Sequence, residues 1–123
     1  MLKKILIIED DITLNEMYSM KFRIEWFEVE SAFEWEEWLD KITTFQPDII
    51  LLDIMMPWMN WFDTIKVIKE QNKSNVKVIM FTNLNDKQSK EKAKELWADD
   101  FILKADTTPK QAVEIVNNVL NNN

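Results

Sequence analysis

The sequence predicts an α/β fold, a doubly wound parallel sheet with helices on both of its faces. Two observations lead to this prediction. Short apolar runs without polar alternation recur along the chain, as expected of strands that are buried on both faces. Segments with apolar residues at helical spacing lie between these runs, and such alternation with short links specifies right-handed crossovers within one sheet.

Five segments are predicted to be strands. Lys4–Glu9, Ile49–Asp53 and Val76–Thr82 are apolar runs rich in β-branched residues. Phe27–Ser31 alternates in part, and Phe101–Lys104 follows two acidic residues that are typical of a turn.

Apolar residues at helical spacing predict three helices between these strands. We expect each helix to pack its apolar face against the sheet. The core-facing residues expected are Leu14, Met17, Tyr18 and Ile24 in the first helix, Leu39 and Ile42 in the second, and Ile65, Val67 and Ile68 in the third.

The last helix has the clearest start signal. Thr108 can cap it, Pro109 suits its first turn, and Gln111 completes a capping box. Its expected core-facing residues are Ala112, Val113, Val116, Val119 and Leu120.

Composition narrows the possible functions. The chain has 123 residues, of which 46% are apolar, and we expect a single domain over residues 1–123. It contains no cysteine and no histidine, so its chemistry must use carboxylates, lysines and hydroxyls. A net charge of −7 disfavours direct nucleic-acid binding, and the apolar run Ile5–Ile8 is too short for a signal peptide or a membrane span. We therefore expect a cytoplasmic protein without membrane contact.

Polar residues stand where the predicted strands end. The carboxyl ends of parallel strands meet at one edge of the sheet, where open α/β sheets bind their ligands. We therefore expect one crevice to contain Glu9, Asp10, Asp53, Thr82 and Lys104.

Three carboxylates in one crevice repel each other unless a cation neutralises them. Mg²⁺ suits such a site because it prefers oxygen ligands and leaves room for a phosphate oxygen. A carboxylate can then attack a phosphoryl donor while Lys104 and the Thr82 hydroxyl neutralise charge. Taken singly, an acidic pair after a strand is more often part of a solvated turn. Thr82 alone would most often be a strand-end hydroxyl bonded to the backbone, and Lys104 alone a solvated surface lysine. Only their combination predicts phosphoryl chemistry.

Four segments resemble the response-regulator receiver family: Ile5–Asp11, Leu51–Pro57, Phe81–Thr82 and Phe101–Lys104. The resemblance spans the whole chain. It implies a flavodoxin-like fold with strand order 2-1-3-4-5. It also implies phosphorylation by a histidine kinase or a phosphotransfer protein, and a downstream protein target that reads the face formed by the fourth helix, fifth strand and fifth helix.

The same resemblance implies roles for single residues. Glu9 and Asp10 would be the acidic metal pair, Asp53 the phosphoacceptor, and the backbone carbonyl of Met55 a further Mg²⁺ ligand. Thr82 and Lys104 would contact the phosphoryl group. Phe101 would change rotamer when Thr82 is drawn inward.

The chain departs from the family pattern in two ways. Ala105 follows Lys104 where relatives usually carry a cis-proline, so the following turn is expected to differ. The chain also has six tryptophans and no glycine, whereas average usage predicts about eight or nine glycines. Relatives typically carry glycine at positions 26, 58, 61 and 97 and, less clearly, at 35, so we hypothesise that every glycine has been replaced by tryptophan.

Such replacements are expected to cost stability. Trp26 and Trp97 stand where helices should end in a left-handed residue, at roughly 1–2 kcal/mol each. Trp38 stands on a helix face that suits a small residue, and overpacking there costs about 1–3 kcal/mol. Trp58 and Trp61 flank the loop after Asp53.

Two other functions are compatible with the sequence. An engineered or inactive receiver variant would act only as a structural scaffold, without phosphotransfer. An Asp-nucleophile phosphohydrolase of the haloacid dehalogenase type also uses Mg²⁺ and a strand-end aspartate. That family places another acid two residues after its nucleophile, where this chain has Met55.

Overall fold

The computed structural model describes residues 2–53, 60–71, 75–83, 87–95 and 98–122. Strands and helices alternate along the chain. The strands are β1 (Lys4–Ile8), β2 (Glu28–Ala32), β3 (Ile49–Leu52), β4 (Lys77–Thr82) and β5 (Asp100–Leu103). The helices are α1 (Ile12–Ile24), α2 (Trp35–Phe45), α3 (Trp61–Gln71), α4 (Lys87–Glu95) and α5 (Pro109–Asn121), and a short 3-10 turn covers Lys104–Asp106.

The five strands form one parallel sheet in the order β2-β1-β3-β4-β5, which confirms the predicted strand order. The inner strand β1 pairs Ile8 with Ala32 of β2 on one side and with Leu52 of β3, the central strand, on the other. These pairs align the carboxyl ends of neighbouring strands. Polar residues that follow the strands are therefore brought to a common edge.

Each face of the sheet is covered by its own hydrophobic cluster, because successive strand residues point to opposite sides. One cluster joins Tyr18 and Phe22 of α1 to the apolar side of α5. The other joins Trp38 of α2 to Ile65 and Ile68 of α3. The chain thus forms three layers, as the doubly wound prediction requires.

The predicted core face of α1 was partly wrong. Tyr18 is buried and Leu14 packs at the edge of a cluster, but Met17 and Ile24 are exposed. Asn15 and Ser19 are buried instead, together with Phe22. Polar residues share the inner side of this helix because they form hydrogen bonds there, so the apolar pattern alone identified the buried face only in part.

The predicted capping box of α5 is present. The Thr108 hydroxyl accepts from the Gln111 N–H, and the Gln111 side chain accepts from the Thr108 N–H. The expected apolar face is also buried through Ala112, Val116 and Val119.

Trp26 ends α1 in the left-handed conformation that the sequence predicts, with φ of 69°. Its N–H donates to the Arg23 carbonyl and the Phe27 N–H donates to the Phe22 carbonyl, which together make a Schellman motif. Gln46 ends α2 with φ of 52°. Trp58 and Trp97 lie outside the described residues, as do the side chains of Trp35 and Trp61.

Trp38 lies inside the core. It is 6% exposed, and its indole N–H has no hydrogen-bond partner among the residues that the structure describes. An unpaired buried donor costs about 1–3 kcal/mol.

Within the described part of the chain, no helix combines the length and the apolar character that a membrane crossing requires.

Candidate functional site

The strands end one residue earlier than predicted at three of the polar positions. Glu9 directly follows β1, Asp53 follows β3, and Lys104 opens the 3-10 turn after β5. The backbone still holds the first two in line with the sheet, because the Asp53 N–H donates to the Ile8 carbonyl and the Glu9 N–H to the Ala32 carbonyl, each at 3.0 Å. Strand pairing thus fixes the backbone positions from which both carboxylate side chains extend.

The structure brings the three predicted acids together. A carboxylate oxygen from each of Glu9, Asp10 and Asp53 lies within 4.8 Å of the others. Glu9 and Asp53 are buried, at 1% and 2% exposure, while Asp10 is exposed. The cluster therefore has one solvent-facing side, through which an ion can enter.

Lys104 joins this cluster directly. Its ammonium nitrogen lies 3.2 Å from Asp53 Oδ2 and also contacts Glu9 Oε1. The same nitrogen lies 5.0 Å from the centre of the Phe81 ring, a cation–π distance. One lysine thus supplies a single positive charge to two buried carboxylates.

That single charge does not balance the site. The pKa of Glu9 is raised from 4.5 to about 8, first because burial disfavours the charged form and then because Asp53 lies beside it. Lys104 and the Asp11 N–H act in the opposite direction, but their effect is smaller. At neutral pH the metal-free site therefore keeps a proton on Glu9.

The donor set fits a hard divalent cation. Three carboxylates offer only oxygen ligands, which Mg²⁺ prefers, and the exposed side of Asp10 leaves positions for water. A bound cation would replace the proton on Glu9 as the neutralising charge. The residues present are therefore suited to the predicted metal, and Glu9, Asp10 and Asp53 are the side chains that would hold it.

Thr82 and Phe101 stand on the neighbouring strands. Thr82 is the last residue of β4 and is fully buried. The register pairs Phe101 with Met80 and Leu103 with Thr82, so Phe101 and Thr82 belong to the same face of the sheet as diagonal neighbours. Phe101 is half-buried against the core cluster of that face. The predicted contact through the Met55 carbonyl lies outside the described residues.

The turn after Lys104 differs from the family pattern in a specific way. The Ala105 N–H donates to Asn83 Oδ1 at 2.9 Å, a bond that proline cannot make because it lacks the N–H. Asn83 directly follows β4. This hydrogen bond links the residue after Thr82 to the residue after Lys104. No motif in the sequence indicated it.

A second support for the site was also missed. The Asn15 side-chain amide donates to the carbonyls of Ile7, Glu9 and Ala32 and is completely buried. Its Oδ1 accepts from the Ser19 hydroxyl, which in turn bonds to Ser31. This network anchors α1 beneath Glu9. Neither serine nor asparagine stands out in a search for apolar faces, so the sequence offered no signal for it.

Comparison with known proteins identifies one family over most of the chain. Residues 5–117 match the model of the response regulator receiver domain. The chain is 33% identical over 113 residues to the DNA-binding response regulator MtrA of Mycolicibacterium paratuberculosis, an alignment that covers 92% of this chain and 49% of that protein. It thus spans about half the length of this relative.

Solved structures have the same fold. The chemotaxis protein CheY4 of Vibrio cholerae superposes with a TM-score of 0.89 at 25% identity, covering 97% of this chain and 99% of that one. The BeF3-activated receiver domain of DrrB, an OmpR/PhoB homologue of Thermotoga maritima, gives a TM-score of 0.86 at 27% identity and covers 98% of both chains.

Proposed function

Since the chain belongs to the response regulator receiver domain family, we propose that Asp53 is its phosphoacceptor and that Glu9, Asp10 and Asp53 hold the Mg²⁺ that the transfer requires. The single observation that carries this proposal is the contact of Lys104 with both Asp53 and Glu9 at the carboxyl edge of the sheet.

The chemistry follows from the positions of these side chains. An Asp53 carboxylate oxygen forms a bond to the phosphorus of the donor, and the bond between phosphorus and the leaving group breaks. The Lys104 ammonium, 3.2 Å from Asp53 Oδ2, neutralises charge that gathers on the phosphoryl oxygens. When bound, Mg²⁺ supplies further charge neutralisation at the same oxygens.

Burial supports the role of Asp53 as a nucleophile. Asp53 is 2% exposed, so little bulk water competes for the phosphoryl donor or hydrolyses the product. The Thr82 hydroxyl at the end of β4 is the group that we assign to a phosphoryl oxygen. We assign Phe101 to the rotamer change that follows, because it lies diagonally from Thr82 on the same face.

The downstream surface is proposed to be the face of α4, β5 and α5. A groove of about 440 Å³ lies along this face between α4 and the turn after β5. Its lining includes three aspartates and one lysine together with Phe101, namely Asp99, Asp100, Asp106 and Lys94. Phe101 thus touches the groove and stands next to Thr82 on the sheet, and an acidic groove favours a partner with basic residues.

Phosphorylation is tested by intact mass. The protein is incubated with a small phosphodonor and Mg²⁺, and we expect the mass of one phosphoryl group to be added. Asp53→Asn is expected to stay unmodified, and Asp48→Asn is the matched control at the opposite edge of the sheet. Modification that survives in Asp53→Asn would refute the assignment.

The same experiment separates the two other functions. A phosphohydrolase would release phosphate in many turnovers without accumulating a modified protein. A scaffold without phosphotransfer would add no mass in any variant. The histidine kinase or phosphotransfer protein that is proposed as the natural donor is expected to act on the same residue.

A further inference from the structure

The outer side of α1 carries an unusual concentration of exposed apolar side chains. The large hydrophobic residues that are exposed in the described part of the chain all fall within its first 26 residues. They are Leu2, Ile12, Met17, Met20, Ile24 and Trp26. Exposed hydrophobic residues are normally scattered, and a concentration of them indicates a contact surface.

Three of these residues form a stripe along the helix. Met17, Met20 and Ile24 are spaced by three and four residues, so they lie on one side of α1. They are exposed by 44%, 62% and 67%, and the side of α1 that faces the core is formed by other residues. Methionine is common at protein-binding surfaces, because its flexible side chain adapts to the partner.

Two opposite charges lie along one flank of the stripe. Glu16 and Arg23 are seven residues apart, which is close to two helical turns, so both lie on the same flank. Neither makes an ion pair with any residue that the structure describes. The neighbouring Lys21 is different, because it is bonded to Glu25 within the helix.

This arrangement is self-complementary. If a second α1 lies antiparallel across the stripe with a two-fold axis near Met20, Glu16 of each copy faces Arg23 of the other. Glu16 lies about 6 Å before Met20 along the helix axis and Arg23 about 4.5 Å after it. Side-chain length absorbs the difference of about 1.5 Å between these two offsets.

We propose that the Met17–Met20–Ile24 stripe is a homodimer surface, on which α1 packs antiparallel against α1 of a second copy with two Glu16–Arg23 pairs across the axis. The self-complementary charge pattern selects this occupant, since a two-fold interface requires that each patch match itself. This surface is separate from the face of α4, β5 and α5, and it does not depend on phosphorylation of Asp53.

The expected dimer is weak. One helix pair buries less than the roughly 1,200–2,000 Å² of a stable interface, so we expect a dissociation constant between about 10 μM and 1 mM. Sedimentation of the full chain over this concentration range is expected to show a reversible monomer–dimer equilibrium. A monomer at every concentration up to about 1 mM would overturn the proposal.

A single cysteine tests the position of the axis. The chain has no cysteine, so Met20→Cys introduces one thiol per molecule. Facing helices bring such positions within the roughly 4.4–6.8 Å between Cα atoms that a disulfide needs. Mild oxidation is expected to give a disulfide-linked dimer of Met20→Cys, whereas Asn117→Cys, exposed on α5, is the control that should stay monomeric. Equal cross-linking of the two variants would contradict this geometry.

Charge exchange tests the pairing. Arg23→Glu is expected to weaken association by about tenfold, because it replaces two opposite-charge contacts by two like-charge contacts. The double variant Glu16→Arg/Arg23→Glu is expected to restore it, since the exchanged charges again match across the axis. The proposal would be overturned if Arg23→Glu left association unchanged, or if the double variant failed to restore it. It would also be overturned if a kinase helix bound to this stripe and no dimer formed. Circular dichroism and phosphorylation of Asp53 are expected to be unchanged in Met20→Cys, in Arg23→Glu and in the double variant, which separates this test from that of the phosphoacceptor.

Discussion

The two edges of the sheet use the same kinds of residue in opposite ways. At the carboxyl edge, Glu9 and Asp53 are buried beside each other and share Lys104. At the amino edge, Asp48 and Asp99 each have partners of their own. Asp48 accepts from the Lys4 N–H at 2.8 Å.

Asp99 shows the difference most clearly. Its Oδ2 accepts from the Val78 N–H at 2.8 Å and from Lys69 at 3.2 Å, and Lys77 lies 4.0 Å from its other oxygen. No second carboxylate competes for these partners in the contacts described for Asp99. The charge at this edge is therefore satisfied by the fold itself, whereas the charge at the carboxyl edge is left for a cation to satisfy.

This contrast separates residues that stabilise the protein from residues that prepare it for chemistry. Hydrogen bonds to a charged group contribute about 1.5–3 kcal/mol when their partners are in place. The crowded carboxyl edge does the reverse, since burial and the neighbouring Asp53 raise the pKa of Glu9. We expect substitutions at the two edges to have opposite consequences for stability and for phosphorylation.

The largest effect is expected for Asp53→Asn. This change removes the proposed nucleophile, so phosphorylation should be abolished, while removal of one of two crowded carboxylates should leave the metal-free protein at least as stable. Intact mass reports phosphorylation and urea unfolding reports stability. A large loss of stability in this variant would show that the carboxyl edge is not electrostatically crowded.

The opposite pattern is expected for Asp99→Ala. The change removes the acceptor of the Val78 N–H and one of the two acceptors of the nearly buried Lys69 ammonium, which keeps the Val76 carbonyl. It should lower the free energy of unfolding by about 2 kcal/mol. The extent of phosphorylation should be unchanged while the variant is folded. Asp100→Ala is the matched control at the neighbouring position, because the hydrogen bond described for its side chain is a local one from the adjacent Phe101 N–H. An equal loss in both variants would remove the distinction between the edges.

The pH dependence sharpens the comparison further. The pKa of Glu9 is raised to about 8, so the folded, metal-free protein holds a proton that the unfolded chain releases near the ordinary value of 4.5. The stability that results is fully present below about pH 4.5 and is lost as the pH rises through about 8. Mg²⁺ must displace this proton, so its affinity should increase as the pH is raised from 6 to 8.

Metal titrations at several pH values measure this effect, and the Glu9→Gln variant is the control. The variant has no proton to release, so the slope of affinity against pH should be smaller. An affinity that does not depend on pH in the unsubstituted protein would contradict the assigned protonation of Glu9.

The smallest effect is expected at the amino edge, for Trp26→Gly. Glycine adopts the left-handed conformation without the steric cost that tryptophan incurs, so stability should increase by about 1 kcal/mol. Urea unfolding measures the change. Arg23→Gly is the comparison in the same turn of α1, where negative φ is required and glycine should lower stability by roughly 0.5–1 kcal/mol.

The elements that the sequence predicted well have strong local signals or lie in segments that resemble the family. The α5 capping box was expected from its residues and is present. The strand order was implied by the family resemblance and is confirmed. The left-handed Trp26 was expected from its position after α1 and is also present. The convergence of Glu9, Asp10 and Asp53 was expected from strand ends alone, and the structure brings them together.

The sequence predicted only in part which side of α1 is buried. Met17 and Ile24 were assigned to the core by their spacing, yet the structure buries Asn15 and Ser19. Hydrophobic periodicity reports where apolar surface could be buried, but it contains no information on the carbonyl groups that a buried amide can reach. The Asn83 contact to Ala105 was missed for the same reason.

The sequence by itself determined the alternation of strands and helices and the residue types that follow each strand, because apolar runs, caps and turn residues act over short distances along the chain. Only the tertiary structure decided that Lys104 reaches Glu9, 95 residues away, and that Asn15 lies beneath the site. These contacts depend on which strands become neighbours and on how the helices pack against them. The free energy of a buried charge or amide is set by those distant partners, so it emerges only when the whole sheet is assembled.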